Sequence, residues 1–171
     1  MAVGDQLIRT GTALILRDTA GAAAQWAVKN TLTLAGRLSP TIDLGAEPRP
    51  SVYDIFMQCQ WASAPASKAV SDWFLAEWHN DTGPANPDGQ VPSVDTAYAA
   101  ASAGLAKADN LRFLGSIIAE TAAAGPFSRS IVVPIMRRYI SIMVINQSGV
   151  SFVNTDDLTF ARITPVYAQI Q

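Results

Sequence analysis

Few residues in this chain have side chains that could do chemistry, and they are isolated from one another. The chain has one histidine, His79, and one cysteine, Cys59. A Ser-His or Cys-His system needs a nucleophile that is activated by a nearby base, and neither residue has a clear partner. A single cysteine also excludes an intrachain disulfide and a cysteine-based zinc cluster. We therefore predict a solvated imidazole at His79, and a small buried hydrophobic side chain at Cys59, which falls in a predicted strand.

Two pairs of carboxylates are candidates for acid–base hydrolysis, which needs both groups to face one point. The pairs are Asp156 with Asp157, and Asp72 with Glu77. Adjacent residues on a strand point to opposite faces, and aspartates near a turn more often cap or solvate it. The chain also lacks a G-x-S-x-G elbow, a phosphate-binding glycine loop and an H-E-x-x-H helix. We predict that it is not an enzyme and has no catalytic or cofactor-binding residues.

The segment 79–94 carries side-chain oxygens that could bind calcium, on Asp81, Asn86 and Asp88. Their spacing matches no EF-hand loop, and no bidentate glutamate follows at a suitable distance. Asn, Asp, Gly and Pro are also the residues from which turns are built. We predict a long surface loop without a metal ion.

Three tryptophans, Trp61, Trp73 and Trp78, lie in the two predicted strands with the clearest patterns. Their rings could form a platform on which carbohydrates stack. Tryptophan serves equally well as core filler between two sheets and as an anchor at subunit contacts. We favour the core or interface interpretation.

The elements that would position these residues belong to one domain of 171 residues. Hydrophobic residues make up 49% of the chain, charged residues only 15%, and the net charge is −2. This composition favours a subunit that hides much of its surface in an assembly, although a large core would also explain it. Twelve basic residues against fourteen acidic ones, without a basic run, argue against nucleic-acid binding.

The sequence shows no membrane or export signal. No apolar run approaches the roughly 20 residues that a membrane span needs, and the first 16 residues lack the basic start and cleavage site of a signal peptide. We therefore expect no membrane association, and synthesis and folding in a cytoplasm.

The hydrophobic pattern predicts about eight strands and no βαβ alternation. Alternation is clearest at residues 51–61, where every second side chain from Tyr53 to Trp61 is apolar. Residues 93–108 are alanine-rich and predict a weak helical turn or an irregular crossover. The other predicted strands include 70–78, 110–120, 127–133, 139–145 and 158–163. An antiparallel β-sandwich of jelly-roll type accommodates this pattern.

We divide the chain into an N-terminal segment, residues 1–39, and a jelly-roll-like β-sandwich domain, residues 40–171. The first segment has two short β-prone runs around a small-residue turn. We interpret it as an extended arm or an added edge hairpin, and arms of this type often lie on a neighbouring subunit. An ordinary edge strand of the same domain is the alternative.

The closing block, residues 138–171, predicts a long strand, a turn and a second strand that form the central pair of the sandwich. Asn146 and Gly149 supply the left-handed backbone positions that the turn needs. Apolar residues alternate imperfectly in the first strand, since Met143 and Ile145 make its second face apolar as well. This strand is therefore predicted to be central and covered on both faces.

The closing block also carries a resemblance to a known family. Its pattern is a strand, N-x-S-G at 146–149, the paired aspartates, and T-P-x-x-x-x-I-Q at 164–171. Three upstream motifs fit the same family pattern in their order along the chain: IDLG at 42–45, NPDG at 86–89 and LRFLG at 111–115. Over residues 42–171 the chain resembles a family of small virion structural proteins from tailed bacteriophages and prophages.

The resemblance implies a jelly-roll-like subunit of the phage particle, with no enzymatic residues. We expect a capsid decoration (cement) protein that binds the outside of the head shell as a homo-oligomer, most simply a trimer. Its partner would be the major capsid protein, and its location the head surface of the virion, after synthesis in the host bacterial cytoplasm. The alternatives are a tail component (tube, tip or fibre) and a carbohydrate-binding module that uses the tryptophans.

Overall fold

The computed structural model describes seven stretches of the chain, in which all regular elements are strands. The stretches are residues 6–18, 24–29, 31–78, 96–98, 111–119, 123–155 and 157–170. The strands are β1 (Gln6–Thr10), β2 (Leu14–Arg17), β3 (Ala24–Gln25), β4 (Gly36–Leu38), β5 (Ile42–Asp43), β6 (Val52–Cys59), β7 (Val70–Trp78), β8 (Thr96–Tyr98), β9 (Arg112–Ile118), β10 (Phe127–Pro134), β11 (Tyr139–Asn146) and β12 (Phe160–Ile170).

These strands form two sheets. Sheet A has the order β10-β6-β12-β2-β3, with β1 also paired to β12, and sheet B has the order β8-β4-β11-β7-β9, with β5 also paired to β11. Every described pairing is antiparallel except the short parallel contact of β2 with β3. The predicted all-β, antiparallel, sandwich-like class is therefore confirmed.

Strand β6 follows the alternation that its sequence predicts. Tyr53, Ile55, Met57 and Cys59 are buried, while the residues between them are half-buried on the other face of sheet A. Trp61 continues the buried series just beyond the strand, where it forms an isolated bridge with Phe152. The period of two therefore identifies the face of sheet A that meets sheet B.

The main core lies between the sheets and is built from aliphatic and aromatic side chains of both. Trp73 contributes from sheet B and packs edge-on against Trp26, with ring centroids 6.0 Å apart. Burial of each large apolar side chain contributes about 1.5–3 kcal/mol to folding. The predicted core position of Trp61 and Trp73 is confirmed, since both are fully buried.

The closing block confirms one prediction and corrects another. Strand β11 is buried along both faces, as Met143 and Ile145 indicated, and these two side chains join Leu38 and Phe74 in a second apolar cluster on the outer side of sheet B. The two strands do not, however, form a central pair. β11 lies in sheet B and β12 in sheet A, because the chain between them crosses the sandwich and packs Phe152 in the core.

The N-terminal arm expected within residues 1–39 is not confirmed. β1 and β2 pair with β12 in sheet A, and β4 pairs with β11 in sheet B. Leu16, Trp26 and Val28 are fully buried in the main core. The described residues of this segment therefore contribute to the sandwich, as the edge-strand alternative supposed.

The helical turn expected within residues 93–108 is wrong for the part that the structure describes. Thr96–Tyr98 forms β8, which pairs with the edge of β4. The expected helical face had only two large apolar residues, Tyr98 and Leu105. Packing of so small an apolar helix face would stabilise the segment less than the backbone hydrogen bonds that it forms with the edge of β4. The rest of the segment lies outside the described residues.

Strand β12 extends seven residues beyond its predicted end at Ile163, through Pro165. Within a strand, the N–H and the C=O of one residue point toward the same neighbouring strand. The Pro165 C=O accepts a hydrogen bond from the Gly11 N–H at 2.9 Å, so the Pro165 nitrogen also faces Gly11. The missing N–H of the proline therefore falls at the break between β1 and β2, where strand pairing is interrupted. A Cβ on Gly11 would lie 2.8 Å from the Tyr167 ring and 2.9 Å from Pro165 Cγ, so a larger residue there would require these side chains to shift.

Candidate functional site

The structure does not bring the predicted chemical residues together. Asp72 and Glu77 lie five residues apart on β7 and therefore point to opposite faces. Asp72 accepts hydrogen bonds from Ser116 and Gln147. Glu77 instead accepts the Met136 N–H at 2.9 Å, at the turn between β10 and β11. The proposed carboxylate pair is not formed.

The remaining candidates are dispersed or lie outside the described residues. Asp157 forms an ion pair with Arg17 at 2.8 Å, while Asp156 is not described. His79 and the three calcium candidates also fall outside the described residues. Among the residues that are described, no group of three or more His, Cys, Asp or Glu side chains could hold a metal ion. No helix in the same stretches is long and apolar enough to cross a membrane.

The predicted burial of Cys59 is confirmed. Its side chain is fully buried, and Sγ lies 3.3 Å from the Ser71 hydroxyl. Loss of solvation raises the pKa of the thiol to about 12, against a small opposing effect of the Ser71 hydrogen bond. The thiol therefore stays protonated in the folded protein, and only the thiolate is nucleophilic.

We expect Cys59 to be inert toward a disulfide reagent such as DTNB at pH 8 in the folded protein, and to react fully in denaturant. Because folding raises the thiol pKa above its ordinary value of 9.0, this group stabilises the fold fully below pH 9. The contribution is lost as pH rises toward 12. Reaction of the native protein at the rate of an exposed thiol would contradict the buried position.

The best candidate for a functional surface is the side of the sandwich formed by the edge strands β9 and β10. We call these two strands and the groove between them the open edge. β9 ends sheet B and β10 ends sheet A, and neither has a second neighbour among the described strands. The groove has a volume of about 460 Å³ and is lined by residues 116–118 and 126–129.

Two arginines cross the open edge and hold the sheets together. Arg112 donates from Nη2 to the Pro134 carbonyl at 2.6 Å, and Arg129 donates from Nη1 to the Ser116 carbonyl at 3.2 Å. Arg112 also lies 3.4 Å from the Glu77 carboxylate. β9 and β10 themselves contain these two cations and no acidic residue, so the two strands carry positive charge, which Glu77 offsets in part beside Arg112.

The open edge also exposes apolar side chains. Four large hydrophobic residues lie on β9, on β10 or just beyond it with about half or more of their surface in solvent: Phe113, Ile118, Val132 and Met136. The largest exposed fractions are 62% for Val132 and 71% for Met136. The four residues do not form one patch, because Phe113 packs against Phe74 on the outer side of sheet B, whereas Val132 lies opposite Asp54 on the outer face of sheet A. Exposed apolar residues beside free strand edges are typical of a surface that binds another protein.

The sequence did not predict the open edge, although Pro134, which lacks an N–H for strand pairing, is the last residue of β10 at the edge of sheet A. Arg112 and Arg129 are separated by a turn and lie in different sheets. They hydrogen-bond across the open edge only because β9 and β10 lie close together in the fold. The sequence signal that was present is that residues 112–118 and 127–134 each contain one arginine and no acidic residue.

Gly115 leaves room for the Arg129 guanidinium at the open edge. Its φ is +142°, and a Cβ there would lie 2.7 Å from Cζ of Arg129. We expect Gly115→Ala to lower the free energy of unfolding by about 1–3 kcal/mol through backbone strain and loss of the Arg129 hydrogen bond. Urea denaturation measures this loss.

Gly149→Ala is the matched control, because Gly149 also has a positive φ, +81°, but open space around its Cβ position. It should cost less than Gly115→Ala. Adding Arg129→Ala to Gly115→Ala should not add the full cost of each change, since both act on one contact. Strict additivity would contradict the steric explanation.

The comparisons with known proteins identify no family. Neither a scan against protein-family models nor a search of curated proteins finds a match to this chain.

Proposed function

We propose that this chain is a structural subunit of a tailed-bacteriophage particle, and specifically a decoration protein on the outside of the head shell. In this proposal it acts as a homo-oligomer, a trimer in the simplest case, and its partner is the major capsid protein. The observation that carries the proposal is the nested order in which the strands pair.

Eight strands form a frame in which pairing runs from the outside inward. In chain order they are β2, β4, β6, β7, β9, β10, β11 and β12. The first pairs with the last, the second with the seventh, the third with the sixth and the fourth with the fifth. A long antiparallel ribbon that is rolled into two sheets has this order, which supports the jelly-roll assignment. Jelly rolls are common in viral capsid and lectin domains.

The open edge supports a role in assembly independently of the fold. Its exposed apolar side chains and two arginines suit a partner surface that is apolar and acidic. At about 25 cal/mol per Å², a few hundred Å² of apolar contact per subunit contributes only a few kcal/mol. A decoration protein of this kind therefore stabilises a shell through many copies.

The open edge replaces the N-terminal arm as the proposed contact with the shell. Residues 6–18 and 24–29 bury core side chains and pair with sheet A, so they are committed to the fold. The low charge content of 15% and the resemblance over residues 42–171 also support a virion subunit.

A tail component is the second candidate within the structural class, and the exposed open edge suits it equally. A gene beside that of the major capsid protein would favour the head, whereas a gene beside that of the tape-measure protein would favour the tail. The tryptophan platform for carbohydrates is not supported, because Trp61 and Trp73 are fully buried. The side chain of Trp78, the third tryptophan of that alternative, is not described.

Co-sedimentation with purified phage heads and purified tails tests the proposal. We expect saturable binding to heads, weakened by salt because the open edge is cationic, and no binding to tails. Val132→Asp and Met136→Asp should each weaken binding at least tenfold without loss of folding. Leu32→Asp is the matched control, since Leu32 is 68% exposed and belongs to neither strand of the open edge.

The outcomes separate the parts of the proposal. Binding to tails alone would overturn the head assignment. Binding to heads that none of the open-edge variants changes would overturn the open edge as the contact surface. Light scattering coupled to size exclusion checks the oligomer, and a monomer at particle-relevant concentration would contradict the trimer.

A further inference from the structure

A second surface feature lies on the outer face of sheet A, away from the open edge. Side chains of β2 and β12 that point away from the core line a cavity of about 180 Å³. Its lining residues are Ile15, Arg17, Asp157, Phe160 and Arg162. The cavity thus combines two cations, one carboxylate and an apolar wall in a small space.

Arg17 has a donor that the protein leaves unused. Its Nη1 pairs with the Asp157 carboxylate at 2.8 Å. Its Nε is shielded from solvent by the protein and has no hydrogen-bond partner. Buried donors are usually satisfied in folded proteins. This N–H shares its unpaired state with Nε of Arg49 and Arg112 and Nε1 of Trp26 among the described residues, so it is open to an acceptor without requiring one.

Arg162 supplies the second cation. Its guanidinium lies over the Phe56 ring, 4.9 Å from the centroid, and it forms no ion pair with any described residue. Stacking on the Phe56 ring orients the planar Arg162 guanidinium fork and leaves its N–H groups available for hydrogen bonds. Such a fork matches the two oxygens of a carboxylate.

The apolar wall is also fixed in place. Phe160 packs against Phe56 with ring centroids 5.7 Å apart and an interplanar angle of 38°. Ile15 lies opposite Arg162 in the pairing of β2 with β12. An aromatic ring beside an aliphatic side chain suits the C–H face of a sugar ring, whose carbon-bound hydrogens carry partial positive charge.

Asp157 decides which ligand class fits. A simple anion would satisfy the two arginines but would meet the Asp157 carboxylate as a like charge. A ligand with hydroxyl groups beside its carboxylate can donate to Asp157 while the arginines hold its anionic group. At about 180 Å³, the cavity is below the roughly 300–1,000 Å³ of drug-sized sites and suits one sugar unit of a longer chain.

We propose that this cavity binds a uronic acid unit of an acidic polysaccharide. The sugar carboxylate contacts Arg17 and Arg162, its hydroxyl groups donate to Asp157, and its C–H face packs on Phe160. The site does not depend on where the chain sits in a particle, so its test is independent of the proposed function.

Titration of the full ¹⁵N-labelled chain with trigalacturonate, followed by amide chemical shifts, tests the site. We expect saturable shifts concentrated at residues 14–17 and 157–162. Maltotriose, the neutral probe, should bind at least tenfold more weakly. Acetate and inorganic phosphate should give no saturable shifts at the same concentrations.

Variants identify the contacts. Arg162→Gln should weaken trigalacturonate binding at least tenfold, and Arg162→Lys should give an intermediate loss because it keeps the charge without the fork. Asp157→Asn should weaken binding of the sugar without improving its selectivity over acetate. Arg129→Gln, at the open edge, is the matched control and should leave binding unchanged.

Three results would overturn the proposal. They are the absence of saturable shifts with trigalacturonate, shifts that lie away from the cavity, and equal binding of acetate, phosphate and trigalacturonate. The last would indicate a general anion site. Spectra of the variants without ligand must match the parent outside the cavity, so that loss of binding reports on the contact and not on folding.

Discussion

Trp26→Ala is expected to lower the free energy of unfolding by about 3–5 kcal/mol, as removal of a fully buried tryptophan does. Trp26 has no exposed surface and packs edge-on against Trp73 in the main core. A residue of an N-terminal arm would show no such cost in the isolated protein. Urea denaturation followed by circular dichroism measures the change.

Leu32→Ala is the control for Trp26→Ala. Leu32 belongs to the same N-terminal segment but is 68% exposed, so its truncation should change stability by less than about 0.5 kcal/mol. A cost below about 1 kcal/mol for Trp26→Ala would mean that residues 24–29 are not part of the core in solution.

Asn146→Ala is expected to have a comparable effect for a different reason. The Asn146 side chain is fully buried and hydrogen-bonds to three parts of the chain, at Thr31, at Trp61 and at residues 148–150. Its Nδ2 donates to the carbonyls of Thr31 at 3.0 Å and Val150 at 2.8 Å. Its Oδ1 accepts from Trp61 Nε1 at 3.3 Å and from Ser148 N–H at 3.1 Å.

Truncation of Asn146 removes the acceptor of the Trp61 Nε1–H and Ser148 N–H groups. The Thr31 and Val150 carbonyls each lose one donor but keep another, Phe152 N–H and Ser148 Oγ. At about 1–3 kcal/mol for each unsatisfied buried group, partly relieved by rearrangement, the total loss should be about 3–5 kcal/mol. Gln147→Ala is the control, because Gln147 is exposed and its described side-chain hydrogen bond goes to Asp72. It should cost less than about 1 kcal/mol. Equal costs for the two variants would contradict the network.

Asn146→Asp sharpens the same test. The carboxylate would face two carbonyl oxygens where the amide donates, in a buried site that raises its pKa. A raised pKa in the folded state means that the variant is most stable below the unfolded carboxyl pKa of about 3.9 and loses stability as pH rises above it. Stability measured from pH 4 to pH 7 should therefore fall for Asn146→Asp relative to the parent. A parallel pH profile would contradict the burial of Asn146.

The sequence predicts the elements whose patterns are complete within one strand. β7 has the predicted bounds, and β6 buries the predicted face. Burial on both faces of β11 followed from Met143 and Ile145, because a strand with two apolar faces must be covered twice. In each case the local pattern and the tertiary environment agree.

The sequence does not predict features that depend on contacts between distant segments. Trp26 follows a strand of two residues with no periodicity to mark a buried face. β12 runs through Pro165 because Gly11 and the break between β1 and β2 lie beside it. The open edge and the cavity near Phe160 each combine residues from two or more strands, so neither has a signature along the chain.

The most direct test of the proposed function, which supposes that a tailed phage encodes the chain, is cryo-electron microscopy of purified particles that contain it. The proposal predicts density for the two-sheet sandwich at regular positions on the outer face of the head lattice, with β9 and β10 toward the shell. Density for the chain in the tail, or its absence from the head lattice, would contradict it.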